Sequence, residues 1–208
     1  MTRFVHIAAL TLITAIPIAA QAPKGWLVRA DRSTSAADPD AAGAIKFSAQ
    51  GTGFQAVTPQ AAVFWNPANV ATGNYTLKGT FTLVRPSNHT NYYGLVFGGN
   101  GLEGPKQTYL YFTVAQDGTW LIKQRIGDVR TTDVARAANA AVKTPDAKGT
   151  STNTLEVRVT ASKIDYAVNG TVVHSTPKTG ATANTDGLYG MRVNHALEVR
   201  VDGLALTK

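Results

Sequence analysis

The chain has 208 residues, a formal charge of +7 and no cysteine. Disulfides and Cys-based metal centres are therefore excluded, and stability has to come from packing. The basic residues are scattered, with no Arg/Lys run of the kind that neutralises a phosphate backbone; this argues against nucleic acid and leaves a general attraction to acidic glycans.

The first segment, "MTRFVHIAALTLITAIPIAAQA", places Arg3 before an apolar run that ends in small residues. That order predicts a cleaved export signal over residues 1–20, with the cut after Ala20 leaving Gln21 at the front. A cut after Ala22 would leave Pro23 at the new end, a poor substrate for the peptidase. A membrane span needs roughly 20 apolar residues, and this run is shorter. The expectation is a secreted or periplasmic protein with no transmembrane anchor in the mature chain. Sequons at Asn74, Asn88 and Asn169 would matter only in a eukaryotic secretory route.

Residues 21–43 read as an extended N-terminal segment containing the loop-like "STSAADPDAAG", and residues 44–208 as a single β-sandwich domain. Short apolar segments follow at 44–49, 53–57 and 61–65. From Asn74 the order becomes strictly two-periodic: Tyr75, Leu77, Gly79, Phe81 and Leu83 on one face, Thr76, Lys78, Thr80 and Thr82 on the other. A half-buried strand requires that alternation. "YYGLVFGG" alternates less well, as expected of a strand covered or functional on both faces. "QTYLYFTVAQDGTWLIKQRIG" predicts a hairpin about Asp117-Gly118, residue types that accept the positive φ of tight turns. "NTLEVRVTASKIDYAVNGTVVHS" predicts two more turns, at Ser162-Lys163 and Asn169-Gly170, and the last stretch supplies two strands around Asn194–Ala196. "TTDVARAANAAVK" is rich in alanine and predicts a short helical turn or an ordered loop, with Thr132 or Asp133 as a cap.

Many short strands, Gly-rich turns and no strand–long-helix repeat give an all-β, antiparallel two-sheet sandwich, with a closed barrel as the alternative. "LEVRV" occurs at Leu155–Val159 and again at Leu197–Val201. If those strands pair antiparallel, Glu156 faces Arg200 and Arg158 faces Glu198.

Chemistry-bearing patterns are sparse. The glutamates are Glu103, Glu156 and Glu198, with no Glu-x-Asp-x-Glu strand motif. Glu103, in the glycine-rich "GGNGLEGPK", is the one that could reach into a cleft from a loop, although a solvated rim is the plainer role. His89, His174 and His195 have no close ligand spacing, and ordinary polar contacts are expected of them, although a metal can recruit distant residues. No Gly-x-Ser-x-Gly elbow, P-loop or dinucleotide fingerprint is present. "ADPDAAG" and "NTDG" offer Asp and backbone oxygens to calcium, and turn formation alone also explains them. No cofactor is predicted, and calcium or another divalent metal is left open. Tyr92, Tyr93, Tyr109, Tyr111 and Trp120 fall on adjacent predicted strands, where rings can cover sugar faces or fill a core.

The ordered series "GNYTLKGTFTL", "NYYGLVFGG", "YLYFTVAQDGTWLIKQR", "NTLEVRVTASKIDYAVNGTVV" and "DGLYGMRVNHALEVRVDGLAL" resembles the concanavalin A-like lectin/glucanase superfamily. Within it, the series is similar to bacterial 3-keto-disaccharide hydrolase-like and laminin-G-like domains. The resemblance spans residues 73–206 and implies a jelly roll, export, and work on glycans or keto-sugars. The glucanase Glu-x-Asp-x-Glu motif has no counterpart here, so no catalytic residues carry over. The expected function is glycan binding through Tyr93, Tyr111, Arg125, Arg192 and Asn194 on one curved sheet, with a saccharide as partner. A glycoside or 3-keto-disaccharide hydrolase and a noncatalytic envelope protein-interaction domain are the alternatives.

Overall fold

The computed structural model describes residues 22–33, 36–128 and 130–208. The export-signal reading of residues 1–20 lies outside them. Among the described residues, fourteen strands build two antiparallel seven-stranded sheets, packed as a sandwich. The front sheet contains β1 (Leu27–Ala30), β4 (Ala62–Ala71), β13 (Gly187–Val193), β6 (Tyr92–Asn100), β7 (Thr108–Ala115), β8 (Thr119–Ile126) and β9 (Arg130–Ala138), in that spatial order. The back sheet contains β12 (Thr171–Pro177), β11 (Lys163–Val168), β10 (Ser151–Val159), β5 (Tyr75–Arg85), β14 (Leu197–Thr207), β3 (Gly53–Thr58) and β2 (Lys46–Gln50). Among the described residues no helix is long and apolar enough to cross a membrane.

The alternation of β5 becomes the geometry of the sandwich. Tyr75, Leu77, Phe81 and Leu83 point inward and are buried, while Lys78 between them is exposed. From the front sheet, Tyr93, Leu95, Phe97, Leu110, Phe112 and Ile122 meet them in one apolar core. Each large side chain so buried contributes about 1.5–3 kcal/mol relative to exposure. Strand β6 is buried from Tyr92 to Gly99, so its broken alternation reflects cover on both faces.

Three local expectations change. The alanine-rich segment runs as strand β9 to Ala138, where pairing with β8 (Leu121↔Arg136, Arg125↔Thr131) outweighs helix propensity, and then makes an ordered turn in which the Val142 N–H donates to the Asn139 carbonyl at 3.0 Å. The two "LEVRV" strands do not pair with each other. β10 and β14 flank β5 on opposite sides, so Glu156 lies opposite Lys78 and Arg158 opposite Thr76, while Glu198 lies opposite Arg85 and Val57. At the β7–β8 hairpin only Gly118 takes positive φ (85°), and its N–H donates to the Ala115 carbonyl at 3.2 Å. Asp117 instead accepts from the Thr119 N–H at 3.0 Å. The Asn169-Gly170 turn does place both residues at positive φ (51° and 86°), as a two-residue hairpin requires.

Candidate functional site

The front sheet has a second apolar cluster on the face away from the core. Val63, Trp65, Tyr92, Val96, Tyr109, Tyr111 and Leu121 form it. Register explains the grouping. Arg192 lies opposite Val63 on one side and Gly94 on the other, and Val96 lies opposite Tyr111. Gly190 allows the strands to approach closely, since a Cβ there would sit 2.1 Å from the Phe64 carbonyl oxygen.

Arg192 is buried at the centre of this face. Its guanidinium donates to Asp31 Oδ2, and the same group donates to the Tyr109 hydroxyl at 2.8 Å. The Tyr109 hydroxyl donates to Asp31 at 2.6 Å, closing a three-membered network. The Tyr111 ring lies under the guanidinium, 5.1 Å from its carbon to the ring centroid, a cation–π distance. Asn194 Oδ1 accepts from Arg192 Nε at 3.2 Å. Asp31 arrives from the chain just beyond β1, where its N–H continues the β1–β4 ladder to the Ala61 carbonyl at 2.7 Å.

Burial alone would raise the Asp31 carboxyl above its ordinary range. The Arg192 charge, the Tyr109 hydrogen bond and the more distant Arg125 charge outweigh it, and the group ends below that range. Burial would likewise weaken the Arg192 cation, but Tyr109 and Asp31 raise its affinity for its proton. Burial pushes the Tyr109 phenol up, so it stays a donor.

A second link reveals the curvature. Arg29 of β1 donates to Asp128 in the β8–β9 turn. In a flat sheet those strands would stand about 24 Å apart at the usual strand spacing. An arginine cannot cover that distance, so the front sheet curls and its outer face is concave.

Tyr111, Arg192 and Asn194, expected to bind together, do come together on this face. Arg125 shares it, opposite Tyr109, but its guanidinium is engaged by the Gly127 and Asp128 carbonyls. Tyr93 is a correction: it points into the core, fully buried, with its hydroxyl 3.5 Å from Ser151 Oγ. It is one residue out of phase with the outer-face residues Tyr92 and Gly94. Asp31 was missed because it belongs to a loop-like segment with no local periodicity. The signal that could have found it is Arg192 itself, a cation in an otherwise apolar strand that needs a counter-charge.

The accessible part of the face lies toward the β6–β7 loop. A cavity of about 580 Å³ is lined by Trp65, Leu188, Asn100, Leu102, Glu103 and Lys106, among others. A neighbouring one of about 570 Å³ shares Trp65 and Glu103 and extends to Arg29. Together they make a groove whose floor is the half-buried Leu188 beside the buried Trp65, with a carboxylate, an ammonium and an amide at its rim. Glu103 is exposed there, as the rim reading expects.

The histidines divide. His174 stacks on Trp120 with centroids 5.1 Å apart. His89 and His195 meet each other and Asp38, their Nε2 and Oδ1 atoms 3.0–3.1 Å apart. Among the described residues, this cluster is the group that could hold a metal ion. It takes one aspartate from "ADPDAAG", but in combination with imidazoles instead of calcium-type oxygens. Asp186 of "NTDG" accepts from the Gly73 N–H at 3.1 Å.

No family model matches the sequence, and no curated protein matches it at a significant level. Solved structures do resemble it in shape. Carbohydrate-binding module CBM66 from Bacillus subtilis matches with a TM-score of 0.63 at 9% identity, over 88% of this chain and 96% of that one. The metal-free carbohydrate recognition domain of Emp46p matches with a TM-score of 0.53 at 13% identity, over 85% and 87%. The Bacteroides ovatus mixed-linkage glucan GH16 protein matches with a TM-score of 0.55 at 10% identity, over 88% and 94%. At such identities the likeness is one of fold, and with the two antiparallel seven-stranded sheets it shows that this chain is a concanavalin A-like jelly roll.

Proposed function

We propose that this protein is an exported carbohydrate-binding domain that seats a saccharide in the groove beside Trp65. The observation carrying this reading is the groove itself. It lies on the concave face, has an apolar floor of half-buried Leu188 beside buried Trp65, and is rimmed by Glu103, Lys106 and Asn100. An apolar floor accepts sugar C–H groups, and a few polar groups select the hydroxyl pattern. The fold neighbours include a carbohydrate-binding module and a carbohydrate recognition domain, which supports glycan binding as a class. Arg192 and Tyr111 act one layer below: they hold the curved sheet in shape. The export part rests on the pattern of residues 1–20.

A glycan array probed with the full chain tests the binding. A defined set of glycans should be retained, and Glu103→Ala with Lys106→Ala should reduce retention at least tenfold without lowering the melting temperature. Both side chains are exposed, so folding should be unaffected. No retained glycan, or identical retention by the double variant, removes the groove from consideration. N-terminal sequencing of protein recovered outside the cytoplasm should begin at Gln21.

A further inference from the structure

Three side chains from distant parts of the chain converge outside the groove. Asp38 comes from the segment after β1, His89 from the β5–β6 loop and His195 from the β13–β14 turn. His89 Nε2 lies 3.0 Å from His195 Nε2, and Asp38 Oδ1 lies 3.0 Å and 3.1 Å from those two nitrogens.

The far side of each imidazole decides what these atoms are. His89 Nδ1 is 2.8 Å from Asn88 Oδ1, an acceptor, so the ring proton sits on Nδ1. His195 Nδ1 faces Asp40 Oδ1 at 3.8 Å, a buried carboxylate oxygen with no hydrogen-bond partner of its own. The other oxygen of Asp40 accepts from the Ser33 N–H at 2.9 Å, which fixes the carboxylate. His89 Nε2 is thereby left as an acceptor, and the Asn91 side-chain amide, 3.0 Å from it, would yield that contact to a cation. His195 Nε2 and Asp38 Oδ1 converge on the same point, so three potential ligand atoms lie within 3.1 Å of one another, close enough to share one cation.

We infer that Asp38, His89 and His195 bind a divalent transition-metal ion. The triangle has the right size. Metal–ligand bonds of about 2.1 Å at right angles place neighbouring ligand atoms about 3.0 Å apart. Two imidazole nitrogens and one carboxylate at right angles suit octahedral iron(II) or manganese(II) and leave further positions open, and the same ligands take zinc once they spread to its tetrahedral angles, about 3.4 Å apart. Calcium, which takes oxygen ligands, does not fit. Asn88 holds the His89 ring from behind, and the Asp40 carboxylate stands behind His195 at 3.8 Å, the places that amides and carboxylates take at metal-bound histidines. A cavity of about 510 Å³ adjoins the site, its lining including Asn88, Ala196 and Ala41, chain neighbours of His89, His195 and Asp40. The ion ties the segment that carries Asp31 to the β5–β6 loop and the β13–β14 turn. This inference does not depend on the glycan reading.

The test uses the full chain, stripped with a chelator and titrated with zinc and with cobalt(II). One equivalent of zinc should bind and raise the melting temperature by several degrees. Cobalt should give a visible d–d spectrum with imidazole ligation. Asp40→Asn should weaken zinc binding by about tenfold while leaving the stoichiometry at one. His89→Ala/His195→Ala should abolish both signals and keep the all-β circular dichroism. Should that variant fail to fold, Asp38→Asn decides, because its side chain is 49% exposed. The same cobalt spectrum in these variants overturns the assignment, as does calcium binding in preference to zinc, or no metal binding at all. The last outcome would mean that a proton holds the cluster together.

Discussion

The back sheet meets water with short polar side chains and ion pairs: Thr80 bonds Thr154 at 3.0 Å, Thr82 bonds Thr152 at 2.9 Å, and Lys78 approaches Glu156 at 3.8 Å. The front sheet turns outward a cluster of aromatic and aliphatic residues around a buried Arg192–Asp31 pair. Both faces belong to one sandwich with one core, so stability of the core does not explain the difference. Exposed pairs like those of the back sheet are replaceable singly, since water takes the place of a lost partner. Each member of the front-sheet network is fixed by the others, since a buried charge without its partner has nowhere to go. A surface built that way is rigid, and rigidity is what a binding groove at its margin requires.

The sharpest way to break this contrast is to remove one charge from the front face. Asp31→Ala should cost about 3–5 kcal/mol by chemical denaturation, because it strands the Arg192 guanidinium. Replacing both partners with apolar residues, Asp31→Leu with Arg192→Met, should recover most of that loss, with a coupling measurable in a double-mutant cycle. Full additivity of the two changes would show that the pair is not a unit. Tyr109→Phe should cost about 1–2 kcal/mol, the loss of one hydroxyl from the network.

Acid sharpens the same point. The Asp31 carboxyl is held below its ordinary value of 3.8, so its contribution is fully present above that value and disappears as pH falls through the depressed folded pKa. Denaturation midpoints measured from neutral pH down to the acid limit should fall more steeply for the native chain than for Asp31→Asn. Parallel curves would mean that Asp31 does not sense Arg192. The smallest effects belong to the back sheet. Thr80→Ala and Thr154→Ala should each change stability by about 0.5 kcal/mol or less, and a larger loss would erase the contrast.

The sequence makes the two faces of β5 plain because its period is strict and one side is polar from Thr76 to Thr82. It also places the hairpin at Asn169-Gly170, where residue type and turn geometry coincide. It misleads at β9, where alanines favour helix but partner pairing decides. The phase of β6 is the instructive case. Tyr92 and Tyr93 are adjacent tyrosines in an apolar run, so no polar residue marks which one faces the core. The register to β7 settles that, and register is a long-range property. The same holds for Asp31 with Arg192 and for Asp38 with His89 and His195. These partners are local to nothing in the chain, and only the topology brings them together.

The position of β14 has a consequence for how the molecule assembles. It is the last strand of the sandwich in chain order, yet it lies in the middle of the back sheet, between β5 and β3. Neither neighbour can complete its ladder until β14 arrives, which makes closure a late and strongly non-local event. Sandwiches of this kind fold on the scale of about milliseconds to seconds. In that interval β5 and β3 expose unpaired edges, so a chain interrupted before Leu197 would be a substrate for chaperones or a seed for aggregation.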